Sequence, residues 1–140
     1  MTYGVLKSVV KGLLSGDNKF PVDEDVQLAL LGYGFNEIAT YADALKLFTT
    51  SKDSQILRVG MGESYIRLPT EPKYDTDQLD LDHELGYPLA RFMASFVSDK
   101  KESMHFDRAM ELIDAYNSKV ESYMATIQED YDNKVDQRNA

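Results

Sequence analysis

Apolar residues recur at three- and four-residue intervals through most of the chain, with one interval where the period shortens to two. Near the start, Val5, Leu6, Val9, Val10, Leu13 and Leu14 share one helical face, with Lys7 and Lys11 on the other. The "GDN" beginning at Gly16 predicts a stop. Because the two lysines interrupt the apolar run, it reads as a short amphipathic helix packing on another helix or a partner, not as a secretory signal.

Next, "FPVDEDVQLALLGYGF" opens on Pro21 and an acidic first turn, both helix-start signals. Val22, Val26 and Leu30 stand four apart and predict its buried side. The "GYG" at 32–34 is expected to break or bend this element, since each glycine gives up helical stability. A second helical run follows, with Ile38, Tyr41, Ala42, Leu45 and Phe48 on one side, ending near "TTSKDS".

The period then changes. In "QILRVGMGESYIRLP", two short runs rich in β-branched and aromatic residues flank Gly60-Met61-Gly62-Glu63 and predict a β-hairpin over 55–69. Pro69 and Pro72 close it. A lone hairpin is marginal in water, so this one must lean on the helices, extend a neighbour's sheet or touch another molecule.

Helical spacing returns with Leu81, Leu85, Leu89, Phe92 and Phe96, broadened by Ala90, Met93, Ala94 and Val97, which predicts the central core helix. Pro88 lacks the amide that would bond back to residue 84, so the helix kinks there or starts afresh. The last helix is expected to begin between Met104 and Asp107 and to run to about Tyr131. Phe106, Ala109, Ile113, Tyr116, Val120, Tyr123 and Ile127 form its packing seam. Together these elements predict a mainly α fold: a small helical bundle with a long C-terminal helix and an inserted β-hairpin. It forms one domain over 1–133, and 134–140 is a flexible tail.

Charge changes the functional picture. Fifteen basic against twenty-four acidic residues leave a formal charge of −9, which opposes sequence-independent binding along nucleic-acid backbones. No run of apolar residues is long enough to span a membrane. The chain has no cysteine and only two histidines, His83 and His105, so thiolate or histidine-rich metal centres are not expected.

The strongest claim to chemistry is "YDTDQLDLDHEL" at 74–85. As a calcium loop starting at Asp75 and Asp77, it places Leu79 at the third ligand, Asp80 at the required glycine and Gly86 at the closing glutamate. As a zinc-protease motif, His83-Glu84 is followed by Tyr87 where the second histidine belongs. The glycines at 32 and 34 lack the spacing of a phosphate loop, and nothing pairs Ser64, Ser95 or Ser103 with a histidine. No catalytic, cofactor or metal residues are therefore nominated, and the chain is read as a non-enzyme. Instead Asp77, Asp80 or Asp82 is expected to cap the core helix, with Glu84 favourable near its positive end. Leu79, Leu81 and Leu85 anchor the segment. Its carboxylates face solvent or bases such as Arg58, Arg67 and Arg91, in this chain or in a neighbouring copy.

One resemblance follows from these residues. "YIRLPTEP", the acidic "DTDQLDLDHEL", "YPLARFMASFVSDK" and "FDRAMELIDAYNSKV", over roughly 55–120, resemble the head–tail connector or adaptor class of tailed-bacteriophage neck proteins. In that class, the helix matching 84–98 packs on the helix matching 105–128, and an inserted hairpin contacts neighbouring neck parts. The resemblance implies a structural protein of the virion, assembled in the host cytoplasm. Many copies would form a homo-oligomeric ring between portal and tail, passing double-stranded DNA without sequence readout. It nominates Arg58, Met61, Glu63, Tyr65 and Arg67 on the hairpin, and Asp75, Asp77, Asp80 and Asp82 on the acidic segment, as interface residues. The alternative is a small adaptor protein that regulates a host or viral partner through the same surfaces.

Overall fold

The computed structural model describes residues 1–16, 18–51, 55–60, 64–98 and 103–139. Among them the chain forms four helices with a small antiparallel sheet set against them: α1 (Tyr3–Leu13), α2 (Glu24–Tyr41), β1 (Phe48–Thr49), β2 (Ile56–Val59), β3 (Tyr65–Arg67), α3 (Gly86–Val97) and α4 (Ser103–Asn139).

α1 starts where the sequence supplies a cap: the Thr2 hydroxyl accepts the Val5 amide at 3.2 Å. Tyr3, Leu6 and Val10 are buried, Val9, Leu13 and Leu14 pack at the core's edge, and Val5 faces outward. Gly16 takes φ +64°, so the chain turns where a glycine permits it. α2 is capped by Asp23, whose carboxylate accepts the Asp25 and Val26 amides, and its first turn carries Glu24 and Asp25.

The expected break at Gly32-Tyr33-Gly34 does not occur. α2 passes through it because Gly34 lies against α3, where an added Cβ would sit 2.6 Å from Leu89 Cδ1 and 3.2 Å from Met93 Cγ. The glycine gives up helix propensity and gains a close helix–helix approach. The buried face is correspondingly Gln27, Leu31, Gly34, Phe35 and Ile38. Val22 and Val26 are exposed and Leu30 lies at the core's edge, so the expected register was wrong. Nor does a second helix reach "TTSKDS". α2 ends at Tyr41, a single 3₁₀ turn follows at Leu45–Leu47, and Phe48–Thr49 becomes a strand.

That strand enlarges the predicted hairpin to three strands in the order β1-β3-β2, all antiparallel. Ile66 pairs with Phe48 on one side and Arg58 on the other, and it is fully buried. The hairpin thus leans on the helices, as its marginal stability requires.

α3 is the central helix. Seven of its residues, Gly86, Pro88, Leu89, Ala90, Phe92, Met93 and Ala94, are buried, and it packs against α1, α2 and α4. A 3₁₀ turn at His83–Leu85 leads into it, so Leu81 is buried from a loop and Phe96 is exposed. Pro88 is the third helical residue, where its missing amide has no partner to lose. Along α4 the seam is buried at Ala109, Ile113, Tyr116 and Val120, and Phe106 stacks edge-on with Phe92 at 5.4 Å. Beyond Val120 the seam is uncovered: Tyr123 and Ile127 are exposed, and the helix continues past Tyr131 to Asn139.

The two glycines of α2 make opposite predictions. A Cβ added at Gly32 would meet nothing within 4 Å, so Gly32→Ala should raise unfolding free energy by about 0.5–1 kcal/mol. Gly34→Val should lower it by about 1–3 kcal/mol through overpacking against Leu89 and Met93. Urea denaturation of both variants decides; a Gly34→Val variant as stable as the parent would contradict the close-approach explanation.

Candidate partner-binding face

The sequence nominated the hairpin and the acidic segment as contact surfaces. Met61 and Glu63 lie outside the described residues. The arginines turn inward. Arg58 Nε donates to the Ala39 carbonyl at 2.8 Å, and one terminal nitrogen donates to Ala42 O at 2.9 Å and meets Asp43 at 3.4 Å. α2 has no basic residue in its own last turn. A guanidinium from β2 fills that role, satisfying terminal carbonyls and opposing the helix dipole. From α4, Asn117 adds to the same corner: its Nδ2 donates to Tyr41 O at 2.9 Å, and its Oδ1 accepts the Asp43 amide at 2.8 Å.

Each carboxylate of 74–85 has a separate task. Arg67 binds Asp80 in a two-pronged pair, one contact at 3.0 Å, and Asp80 also accepts the Thr70 amide at 2.7 Å. These hydrogen bonds, led by those from Arg67, hold the Asp80 carboxyl at about 2 against the opposing effect of its burial. Asp77 accepts the Lys73 and Tyr74 amides at 2.8 and 2.9 Å, closing its own turn. Asp82 accepts the Lys46 amide at 3.2 Å. Beside it the Tyr116 hydroxyl accepts the Leu45 amide, and burial raises that phenol above its ordinary value. Glu84 reaches Lys119 on α4 at 2.9 Å, an exposed pair of small energetic weight.

No side chain of this segment caps α3, contrary to expectation. The segment instead crosses the start of α1. Carbonyls of Asp77 and Asp75 accept the Tyr3 and Gly4 amides at 3.0 and 2.9 Å, and Leu79 donates back to Met1 O at 3.0 Å. Asp75 then meets Lys7 one turn on, at 2.7 Å. Free amides at a helix start are satisfied, but the helix is α1 and the acceptors are backbone carbonyls. Gly4 permits this approach: an added Cβ would stand 3.2 Å from Asp75. With the carboxylates distributed in this way, no group of three or more His, Cys, Asp or Glu among the described residues could hold a metal ion. No described helix is long and apolar enough to cross a membrane.

Compared with known proteins, the chain matches no family model, no curated protein and no solved structure. The surface itself must therefore carry the functional reading. Two features were missed in the sequence. One is an open groove of 390 Å³ past the end of α1, lined by Leu14 and Phe20 with Lys11 and Lys19. The other is the far half of α4, where every described side chain from Glu121 to Lys134 is exposed. Tyr123, Met124, Ile127 and Tyr131 recur there at helical spacing and are exposed by 57, 39, 46 and 63%. Periodicity signalled an apolar stripe, but not that its covering ended at Val120.

Asp80 makes the pH prediction. Its folded value, about 2, lies below the ordinary 3.8, so its stabilising effect is complete above that ordinary value and is lost as pH falls through the folded one. Asp80→Asn should cost about 1.5–3 kcal/mol at neutral pH, the range for a hydrogen bond to a charged group. Urea midpoints of variant and parent should converge as pH is lowered from 5 toward about 2. A gap that persists unchanged at low pH would mean the carboxylate's charge is not what matters.

Proposed function

We propose that this chain is a structural subunit of an oligomeric neck ring that joins portal and head to tail in a tailed bacteriophage. The observation that carries the reading is α4, which leaves the bundle at Val120 and extends an apolar stripe that nothing among the described residues covers. A helix so uncovered is marginal in water and gains from a neighbouring surface. The fold supports the same assignment: a small helical bundle carries a sheet at one place and a long helix at another, offering two separate surfaces for contacts along a ring.

In this reading the protein works by shape and charge rather than by chemistry. Arg58, Arg67, Asp80 and Asp82 act indirectly, by fixing the sheet and the acidic segment so that neighbours meet a rigid surface. Among the described residues, exposed Val59 on β2 and Tyr74 beside the acidic turn are apolar groups available there. The formal charge of −9 suits a channel wall that lets DNA slide without tight phosphate contacts.

Light scattering and electron microscopy of the purified chain, alone and with a portal ring, test the assignment. A closed ring, or one formed on the portal, is the expected outcome. A chain that stays monomeric and joins neither portal nor tail completion proteins would overturn it.

A further inference from the structure

Beyond Val120 the stripe on α4 has the spacing of a heptad seam. Val120, Met124, Ile127 and Tyr131 follow one another at intervals of four, three and four, and Lys134 stands next in the series. Asp130 lies along one flank of this seam and Lys134 leans to the same flank, while Glu121 and Gln128 lie along the other. Among the described residues neither Asp130 nor Lys134 makes an ion pair. Two such helices in parallel would set Lys134 against its own counterpart inside the seam, which disfavours that arrangement.

Where the seam enters the bundle, the structure offers the complement. A notch of 230 Å³ opens between α4 and the turn before α3, on the same flank of α4 as Asp130. Tyr87, Leu112 and Ala115 form its wall, and the Glu84 to Lys119 ion pair stands at its rim with both side chains more than half exposed.

We propose that the free protein is a two-fold dimer in which the far halves of α4 pack antiparallel. Met124 of each copy meets Ile127 of the other, and Val120 meets Tyr131, giving four apolar layers over roughly 17 Å at the helical rise. In an antiparallel pair each flank faces the same flank of the other copy. Asp130 therefore arrives at Lys119 of the other copy, and Lys134 reaches over the notch to Glu84. The pair within one copy becomes part of a row of four alternating charges, Lys134, Glu84, Lys119 and Asp130, at each end of the dimer. On the opposite flank Glu121 meets the Gln128 amide and not another charge. The contact is self-complementary and closes on itself. It goes beyond the ring assignment and does not rest on it: the pair is the form before assembly, and ring neighbours then take over the stripe.

Sedimentation velocity over a concentration series tests the contact. A dimer is the expected species, and Ile127→Asp, at an exposed position, should abolish it. Two charge exchanges test the register. Glu84→Lys with Lys119→Glu keeps the ion pair within one copy but reverses what it presents to the other. Asp130→Lys with Lys134→Glu reverses the helix. Each double variant alone should dimerise about tenfold more weakly. Mixing the two should restore the parental affinity, because every reversed bundle then meets a reversed helix and every parental bundle a parental one. No dimer in the parent overturns the proposal. So does a dimer indifferent to the exchanges, or one that mixing fails to restore. A dimer that joins no portal or tail partner leaves this contact standing and removes the ring assignment, whereas a ring built from free monomers does the reverse.

Discussion

Burial of α3 on three sides is the constraint on which the rest of the structure depends. A helix of twelve residues with seven of them buried cannot be satisfied by one neighbour. α1, α2 and α4 each cover part of it, and the demands of that contact explain local features that look anomalous in isolation. Gly34 sits inside a helix because Leu89 and Met93 come too close for a side chain. Phe92 meets Phe106 edge-on where α4 closes over the last side.

The loops are then tied down by long-range hydrogen bonds as well as by buried Phe20, Leu47, Leu79 and Leu81. Arg58 and Asn117 hold the end of α2, Asp82 and Tyr116 hold the turn that follows it, and Arg67 with Asp80 joins the sheet to the acidic segment. Most of these contacts join a polar or charged side chain to a backbone group, and those that carry a charge are the stronger ones. The result is a cross-tied body beyond which the far half of α4 extends with its side chains exposed. The proposed assembly rests on a contrast: among the described residues every buried side-chain polar atom has a partner, whereas the apolar stripe on the far half of α4 is uncovered.

Periodicity made much of this legible. The first, central and last helices, the hairpin over 55–69 and the structural use of the acidic run follow from spacing and residue type, whereas the helix expected through Leu45 and Phe48 does not form. The failures have physical causes. Val22, Val26 and Leu30 keep helical spacing as well as Leu31, Phe35 and Ile38 do, and only the position of α3 selects between the two faces. "GYG" was read from intrinsic propensity, which close packing overrides. The acidic segment was assigned to the nearest helix, α3, whereas it pairs with the start of α1 more than seventy residues away (Thr2 bridges Gln78).

Sequence alone determined where most of the helical segments and the hairpin fall and that the metal and protease motifs fail, because those properties depend on neighbours within a turn or a strand. Tertiary structure decided which apolar stripes are covered and what each carboxylate binds. Asp82 meets Lys46 across 36 positions and Glu84 meets Lys119 across 35, separations at which local spacing holds no information. The same limit applies to α4: its stripe has one period from Phe106 to Tyr131, and only the tertiary placement of α3, the turn before it and the end of α2 decides that the covering stops at Val120.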